Sequence, residues 1–264
     1  MEIHHPTTLD DALQARAQGA IPLAGGTDLM VEVNFGIGRP ETVVTLRRVQ
    51  ELQEWDGPRI GSGVTWRRIE GDGPKALAEA ARTVGSPQIR NAGTIGGNLA
   101  TASPAGDGHP FLAAVDATIE VASHRGSRTV PWDRFFTGVK ETSLESDELI
   151  TAVRLPDRIP ARQAFAKVGV RNAMVIATVC CVVTRDEDGT TTAAFGSVAP
   201  TVIRARKAEE MISGEPSPSE AALDHFQKLV AEEVSPITDH RSTERYRRHA
   251  AGVLARRLLE RCLR

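Results

Sequence analysis

Two pairs of adjacent glycines place the strongest restriction on how this chain can fold. The first lies in Ala24-Gly-Gly-Thr-Asp-Leu29, between a predicted short strand and a predicted helix. The second lies in Gly93-Thr-Ile-Gly-Gly-Asn98, within a predicted long, turn-rich loop over 85–98. Glycine adopts positive φ freely and has no Cβ, so runs of backbone N–H groups can form a concave anion nest there. We therefore expect the two segments, with Gly97 at positive φ, to clamp a pyrophosphate from both sides.

The common nucleotide-binding motifs are absent. A Rossmann site needs G-x-G-x-x-G between a strand and a helix, and Gly61-Ser-Gly63 lacks the third glycine. A Walker sequence is also missing. Because a glycine pair on its own more often forms a tight turn, a dinucleotide site in this chain requires a less common fold.

The pattern of strands and helices changes near Pro156-Asp-Arg-Ile-Pro160, which is the predicted domain boundary. Before it, short strands and helices alternate, with a helix over 28–35 and a stronger one over 74–84. After it, three strand-like runs precede three helical runs, which predicts a separate α+β module. The strands are expected at Gln163–Val170, Met174–Thr184 and Thr191–Val198, and the helices at Arg204–Ile212, Glu220–Val234 and Ser242–Leu263.

Composition excludes several classes of function. The 32 basic and 34 acidic residues give a formal charge of −2, and aromatic residues make up only 4%. Both values argue against nucleic-acid binding. No apolar run approaches the roughly 18 residues of a transmembrane helix, and the first residues do not resemble a secretory signal. We therefore expect a cytoplasmic protein without a transmembrane segment.

Cysteine content argues against a metal centre. None of the three cysteines forms a C-x-x-C motif, so no zinc or iron–sulfur ligand set is predicted. An odd number of cysteines without a signal sequence fits a reducing compartment. Cys180 and Cys181 lie in an apolar run and are expected to be small core residues.

Taken together and in order, five segments resemble the FAD-binding medium subunit of the molybdenum hydroxylases, the family of xanthine dehydrogenase and aerobic carbon monoxide dehydrogenase. The resemblance covers nearly the whole chain. The segments are Pro22-Leu-Ala-Gly-Gly-Thr-Asp-Leu29, Ser86-Pro-Gln-Ile-Arg-Asn-Ala-Gly-Thr-Ile-Gly-Gly-Asn-Leu99, Ser103-Pro-Ala-Gly-Asp107, Phe195-Gly-Ser-Val-Ala-Pro200 with Arg204, and Asp239-His-Arg-Ser-Thr-Glu-Arg-Tyr-Arg247. The segment over 65–74 is shorter than is typical of the family, and the cysteine loop of the benzoyl-CoA-reductase branch is missing.

The resemblance implies an α+β fold. A two-lobed FAD-binding domain of the vanillyl-alcohol-oxidase (PCMH-type) superfamily would span residues 1–158, with its lobes divided near 55–60. A C-terminal α+β domain like that of the carbon monoxide dehydrogenase flavoprotein would span residues 159–264, with a three-stranded antiparallel sheet and helices.

The resemblance also implies which residues bind FAD. The pyrophosphate and adenosine side would be held by Leu23, Ala24, Gly25, Gly26, Thr27, Asp28 and Leu29. The pyrophosphate and ribityl chain would be closed in by Thr94, Ile95, Gly96, Gly97 and Asn98. Asp107 would bond to a polar group of the ribityl chain or ring, Ile150 would contact the isoalloxazine, and Lys167 would lie near its N1/O2 edge. A cation at that edge would stabilise the reduced flavin.

Three further features have two interpretations each. Phe165 is either a ring-stacking residue or a core residue, and Lys167 is either a flavin contact or a solvated strand lysine. His109 is expected to be an exposed loop histidine rather than an acid or base. At and near the last helix, eight arginines are expected to form a solvated basic face, with docking to an acidic partner as the alternative. They are Arg241, Arg245, Arg247, Arg248, Arg256, Arg257, Arg261 and Arg264.

The function that follows from the resemblance is electron relay. A large subunit with a molybdenum-pterin cofactor would oxidise a substrate, and a small subunit with 2Fe-2S clusters would carry electrons to non-covalent FAD on this chain. NAD⁺, a quinone or oxygen would accept them, in a heterotrimer that is single or dimerised. Two alternatives stay open: a stand-alone FAD-dependent oxidase or dehydrogenase, and a non-catalytic scaffold that kept the fold.

Overall fold

A small parallel sheet organises the first 45 residues of the computed structural model, which describes residues 1–264. The elements are β1 (Glu2–His4), α1 (Leu9–Ala17), β2 (Ile21–Leu23), α2 (Leu29–Asn34) and β3 (Thr42–Thr45). The strand order is β1-β3-β2, with both pairings parallel. Because parallel strands point the same way, their carboxyl ends share one edge, and the first glycine segment leaves the sheet at that edge.

A second, antiparallel sheet occupies the middle of the chain. After a 3₁₀ turn at Gln50–Leu52, the strand order is β4-β5-β10-β6-β7, and β8 and β9 form a separate pair. The elements are β4 (Trp55–Asp56), β5 (Arg59–Gly61), α3 (Trp66–Asp72), α4 (Lys75–Ala81), α5 (Pro87–Ala92), α6 (Ile95–Thr101), α7 (His109–Ala114), β6 (Thr118–Ser123), β7 (Gly126–Pro131), α8 (Trp132–Phe135), β8 (Phe136–Gly138), β9 (Glu141–Thr142) and β10 (Leu149–Arg154). The helices between β5 and β6 share one core with this antiparallel sheet and form the middle lobe with it, whereas the small parallel sheet belongs to the first lobe, which has a core of its own.

The prediction of a loop over residues 85–98 is wrong. The segment contains α5 and the beginning of α6. Ser86 begins α5 by accepting a hydrogen bond from the Ile89 amide at 3.3 Å, and Thr94 begins α6 by accepting one from the Gly97 amide at 3.0 Å. Glycine and asparagine lower helix propensity, so two N-caps in succession outweigh the composition that predicted a loop.

The last part of the chain is a four-stranded antiparallel sheet covered by three helices. The elements are β11 (Arg162–Val168), β12 (Val179–Arg185), β13 (Thr191–Gly196), β14 (Ile203–Arg204), α9 (Arg206–Ser213), α10 (Glu220–Glu233) and α11 (Glu244–Leu263). The three predicted strands are present, but the sheet has a fourth. β14 has only two residues, which is too short for a periodic pattern, and it pairs with β13 through Ala194 and Phe195.

Strand β12 is buried on both faces, which explains its continuous apolar sequence. Cys180 and Val182 pack into the core of the antiparallel middle lobe, whereas Cys181 and Val183 pack against the C-terminal helices. Both cysteines are fully buried and free, as expected of small core residues. Burial raises the pKa of the Cys180 thiol.

The final helix departs from the predicted basic face. Arg247 is only 3% exposed and donates to the carbonyls of Thr178 and Ser197 at 2.7 and 3.0 Å and to Asp239 Oδ1 at 2.7 Å. Tyr246, the residue before it, is 49% exposed. Arg247 thus joins the start of α11 to the sheet. Three more arginines of the predicted face also bond to other elements: Arg248, Arg256 and Arg261. No helix in the chain is long and apolar enough to cross a membrane.

Candidate functional site

The first glycine segment is pressed against the end of α5. A Cβ on Gly25 would lie 1.9 Å from the Ala92 carbonyl oxygen, so no larger residue fits without moving the backbone. Gly26 has φ of +70°, which is unfavourable for other residues. The backbone amides of Gly25, Gly26 and Thr27 donate no hydrogen bond within the protein. This segment therefore has the free N–H groups that an anion nest requires.

The second glycine segment is built differently and does not form the expected nest. The amide of Ile95 donates to Val64 O at 3.0 Å, that of Gly96 to Ser62 O at 2.9 Å, and that of Gly97 to the Thr94 hydroxyl at 3.0 Å. Gly97 does not have positive φ, so that expectation is wrong. The close approach is at Gly96, where a Cβ would lie 2.5 Å from Ser62 Cβ. Here glycine allows the helix to pack onto the end of β5.

The two segments meet directly. The Thr101 hydroxyl, on the last turn of α6, donates to Asp28 Oδ2 and to the Gly97 carbonyl at 3.0 Å. Asp28 stands at the N-cap position of α2, but its side chain makes no cap hydrogen bond because it is turned towards α6. Leu29 begins α2 directly after it. The structure thus brings together the two groups of residues that the sequence predicted for one site.

The predicted residues Asp107 and Lys167 form an ion pair. Lys167 Nζ lies 2.5 Å from Asp107 Oδ2 and 3.2 Å from the Thr83 carbonyl, and the Thr83 hydroxyl donates to the same Oδ2 at 3.0 Å. The Lys167 and Asp107 side chains are 9% and 5% exposed, so Lys167 is not a solvated strand lysine. Burial raises the pKa of Asp107, and the contacts with Lys167 and Thr83 offset part of the rise.

Three buried polar atoms near this pair have no hydrogen-bond partner. They are Asn98 Oδ1, Asp107 Oδ1 and His109 Nε2. An unsatisfied buried acceptor is costly, and native proteins contain few of them. Asn98 belongs to α6, and Asp107 and His109 flank the start of α7. The unpaired carbonyl and carboxylate oxygens of Asn98 and Asp107 suit a ligand that carries hydroxyl or N–H donors.

His109 is buried rather than exposed, which corrects the expectation from its loop-like sequence. It is 3% exposed, its ring lies 4.7 Å from that of Phe136, and a Cβ on Gly106 would come within 2.4 Å of its Cε1. Burial lowers the pKa of His109 to about 4, so the ring is neutral at physiological pH. Gly106 makes room for it, but glycine before a histidine is too common a pattern to predict this.

Ile150 and Phe165 are both buried. Ile150 is 6% exposed in β10, and the carbonyl of its neighbour Thr151 accepts from the amide of Ser62, whose own carbonyl accepts from Gly96. These backbone hydrogen bonds connect the strand that carries Ile150 to the second glycine segment. Phe165 is 5% exposed and packs in the core beside the middle lobe, with its amide donating to Glu79 Oε2 at 2.9 Å. The structure places it as a core residue, while its contact with a ring stays a prediction.

A cavity of about 380 Å³ lies beside the first glycine segment, and no feature of the sequence indicated it. Its lining includes Arg47 and Arg48, which follow β3. Paired arginines on a strand-to-turn junction carry no motif, and only the fold places them next to residues 23–26.

Comparison with known proteins gives a consistent result along the chain. The sequence model of the family described as "FAD binding domain in molybdopterin dehydrogenase" matches residues 1–158, and that described as "CO dehydrogenase flavoprotein C-terminal domain" matches residues 164–262. The chain is 31% identical over 274 aligned positions to the putative xanthine dehydrogenase FAD-binding subunit of Escherichia coli K12, covering 97% of this chain and 94% of that protein. It is 36% identical over 238 positions to the nicotinate dehydrogenase FAD-subunit of Eubacterium barkeri, covering 81% and 80%.

Solved structures agree. A chain of carbon monoxide dehydrogenase from Hydrogenophaga pseudoflava superposes with a TM-score of 0.91 at 30% identity, covering 99% of this chain and 96% of that one. A chain of quinoline 2-oxidoreductase from Pseudomonas putida 86 also gives 0.91, at 26% identity, covering 100% and 96%. The fold and the order of the two matched segments are therefore those of these flavoprotein chains.

Proposed function

The chain belongs to the family of FAD-binding subunits of molybdenum hydroxylases, to which xanthine dehydrogenase and carbon monoxide dehydrogenase flavoproteins belong, and on that premise we propose that it relays electrons between an iron–sulfur partner and a final acceptor. FAD supplies the redox chemistry when it is bound. The protein supplies the binding site, the orientation of the flavin and the charges around it.

The observation that carries the proposal is the meeting of the two glycine segments next to unsatisfied acceptors. FAD offers a diphosphate, a chain of hydroxyl donors and a ring with an N–H group. The free amides at Gly25 and Gly26 suit the diphosphate. The unpaired Oδ1 atoms of Asn98 and Asp107 suit hydroxyl or N–H donors. The residues present therefore fit the cofactor that the family binds.

The other predicted residues have positioning roles in this proposal. Thr94 and Ile95 fix the start of α6, and Thr101 holds α6 to Asp28. Lys167 carries its ammonium into the site from the C-terminal sheet, where the contact with Asp107 and the Thr83 carbonyl fixes it. In our proposal this ammonium faces the flavin ring edge and Ile150 contacts the ring face.

The partners in the proposal are a small subunit with 2Fe-2S clusters and a large subunit with a molybdenum-pterin cofactor, in a heterotrimer that is single or dimerised. NAD⁺ or another acceptor takes the electrons. We also retain the cytoplasm as the predicted location, on the odd cysteine count.

Affinity purification of the chain from its native host tests the proposal. The purified material is analysed for FAD, molybdenum and iron, and the co-purifying chains are identified by mass spectrometry. The relay predicts one FAD for each copy of this chain, together with molybdenum and iron on two further chains. FAD without either metal would support the stand-alone oxidase, and neither flavin nor metal would support the scaffold.

A further inference from the structure

Strand β11, which carries Lys167, lies at the edge of the C-terminal sheet and has β12 as its only neighbouring strand. Helix α4 of the middle lobe packs against β11. Alternate residues of β11 make polar contacts with α4 or with the turn that follows it. The contacts are Gln163 Oε1 with the Ala76 amide at 3.2 Å, the Phe165 amide with Glu79 Oε2 at 2.9 Å, and Lys167 Nζ with the Thr83 carbonyl at 3.2 Å. These contacts set the position of β11 along α4.

The middle contact of this series is closed by a third element. The Phe165 amide donates to Glu79 Oε2, and the Phe165 carbonyl accepts from Arg261 Nη1 at 3.2 Å. Arg261 Nη2 also donates to Glu79 Oε1 at 3.0 Å. Glu79 belongs to α4 and Arg261 to the last turn of α11. The two side chains, which we call the Phe165 clamp, therefore occupy the backbone groups that an edge strand otherwise leaves unpaired.

Lys167 depends on this clamp because of its place on the strand. It lies two residues after Phe165, about 6.6 Å along β11 and on the same face. A shift of one residue would turn Lys167 to the opposite face. β11 ends at Val168, and the segment after it is exposed at Val170 and Met174. Support for Lys167 therefore comes from the preceding part of the strand, where the Phe165 clamp lies.

We propose that Glu79 and Arg261 are positioning residues for Lys167. By holding Phe165, they keep the Lys167 ammonium against Asp107, on the side of the site where the proposed function places the flavin ring edge. The inference rests on the proposed function for its effect on FAD, and neither positioning residue has to touch the cofactor. Arg261 thereby has a role other than the solvated basic face expected for the last helix.

Lysine labelling of the flavin-free full chain tests the placement of Lys167. The chain is treated with a limiting amount of an amine-acetylating reagent, and the acetylation of each lysine is followed by mass spectrometry. The Lys167 side chain is only 9% exposed and should react slowly in the wild type, with the exposed Lys228 as internal reference. In Glu79→Ala, Lys167 should react at least about fivefold faster, because the end of the strand opens more often. Glu79→Gln keeps an oxygen for the Phe165 amide and should stay within about twofold of the wild type.

Three further variants show whether the effect is specific. Adding Arg261→Met to Glu79→Ala should speed the labelling of Lys167 by no more than about twofold beyond Glu79→Ala alone, because the two residues act as one clamp. Arg257→Met removes an exposed arginine without a partner, one turn earlier in α11, and should leave the labelling unchanged. Leu13→Ala weakens the core of the first lobe, away from β11, and should also leave it unchanged.

The FAD midpoint potential is a readout that a purely structural role would not move. In flavin-loaded Glu79→Ala, the preference for reduced over oxidised FAD should fall about threefold, which is about 14 mV for a two-electron couple. Glu79→Ala added to Lys167→Met should shift the potential no further, because the ammonium that the clamp positions is already gone. Glu79→Gln should restore the wild-type potential.

Four results would overturn the inference while leaving the proposed function intact. Two concern labelling: an unchanged rate at Lys167 in Glu79→Ala, and an equal rise in Leu13→Ala, which would indicate general loosening. Two concern the potential: no change in Glu79→Ala, and an equal change with and without Lys167. If the wild type binds no FAD, the proposed function fails, whereas faster labelling of Lys167 in Glu79→Ala would still support its placement by the clamp.

Discussion

Replacing Lys167 with methionine tests the ion pair that joins the C-terminal sheet to the FAD-binding part of the chain. Methionine keeps a side chain of similar length but removes the ammonium, so the Asp107 carboxylate keeps only the Thr83 hydroxyl as a donor, at 3.0 Å. Breaking a buried ion pair by removing one partner costs about 3–5 kcal/mol, because the other charge stays buried. Both side chains are less than a tenth exposed, so solvent screening is small. We expect a loss of about 3 kcal/mol in unfolding free energy at neutral pH, the lower end because Thr83 remains.

The loss should depend on pH in a defined direction. Burial already raises the pKa of Asp107, and Lys167 offsets part of that rise. Without Lys167 the pKa of folded Asp107 rises further above its unfolded value. The folded state then binds this proton more readily than the unfolded state, so stability is lost as pH rises through the folded pKa. The deficit of the variant relative to the wild type should therefore shrink as the pH is lowered.

Urea unfolding of the flavin-free full chain, followed by far-ultraviolet circular dichroism, measures the effect at about pH 7 and about pH 5. Lys228→Met, which removes an exposed and unpaired lysine, is the control and should change stability by less than about 0.5 kcal/mol. Lys167→Met/Asp107→Asn should lose less than the sum of the two single variants. A deficit below about 1 kcal/mol, or one that does not change with pH, would show that the pair does not form as described.

Three other predictions concern the cofactor and the last helix. Acid precipitation of the flavin-loaded chain should release all FAD into the supernatant, and flavin remaining in the pellet would contradict non-covalent binding. Spectroelectrochemical titration should show that the FAD midpoint potential is lower in Lys167→Met than in the wild type. The difference should be smaller than about 30 mV, because Asp107 already balances the ammonium charge. An unchanged or raised potential would remove Lys167 from the site. Arg247→Met should lower the unfolding free energy by about 3 kcal/mol, since the carbonyls of Thr178 and Ser197 lose this donor and Asp239 loses its buried guanidinium partner. A loss below about 1 kcal/mol in urea unfolding would refute that role.

The two glycine segments could be identified from the sequence because their signal is local, and their binding of FAD stays a prediction. Both glycine segments were identified, and the structure brings them together through Thr101 and Asp28. What each glycine does could not be predicted, because a Cβ clash depends on residues far away in the chain. Gly25 meets Ala92, and Gly96 meets Ser62. Composition alone also predicted a loop over residues 85–98. There, Ser86 and Thr94 each cap the start of a short helix.

Contacts between distant residues account for the other differences. Lys167 and Asp107 are 60 residues apart, and no pattern in the sequence indicated that they form a pair. Arg47 and Arg48 line one cavity with residues 23–26, and only the parallel sheet brings these parts of the chain together. The boundary at 158/159 stays a prediction, since buried side chains from both sides of it, such as Phe111 and Phe165, share one core. In each case the contact is set by the tertiary fold, and no local sequence pattern indicates it.

Titration of FAD into the flavin-free chain shows whether the two glycine segments form one FAD site. The wild type should bind one FAD per chain. Gly25→Ala, whose Cβ would lie 1.9 Å from the Ala92 oxygen, should lose FAD binding by at least about a hundredfold. Gly71→Ala, in α3 with open space around the added Cβ, should bind FAD like the wild type. Equal FAD affinity in the wild type and Gly25→Ala, or no binding to the wild type, would show that the two glycine segments do not form an FAD site.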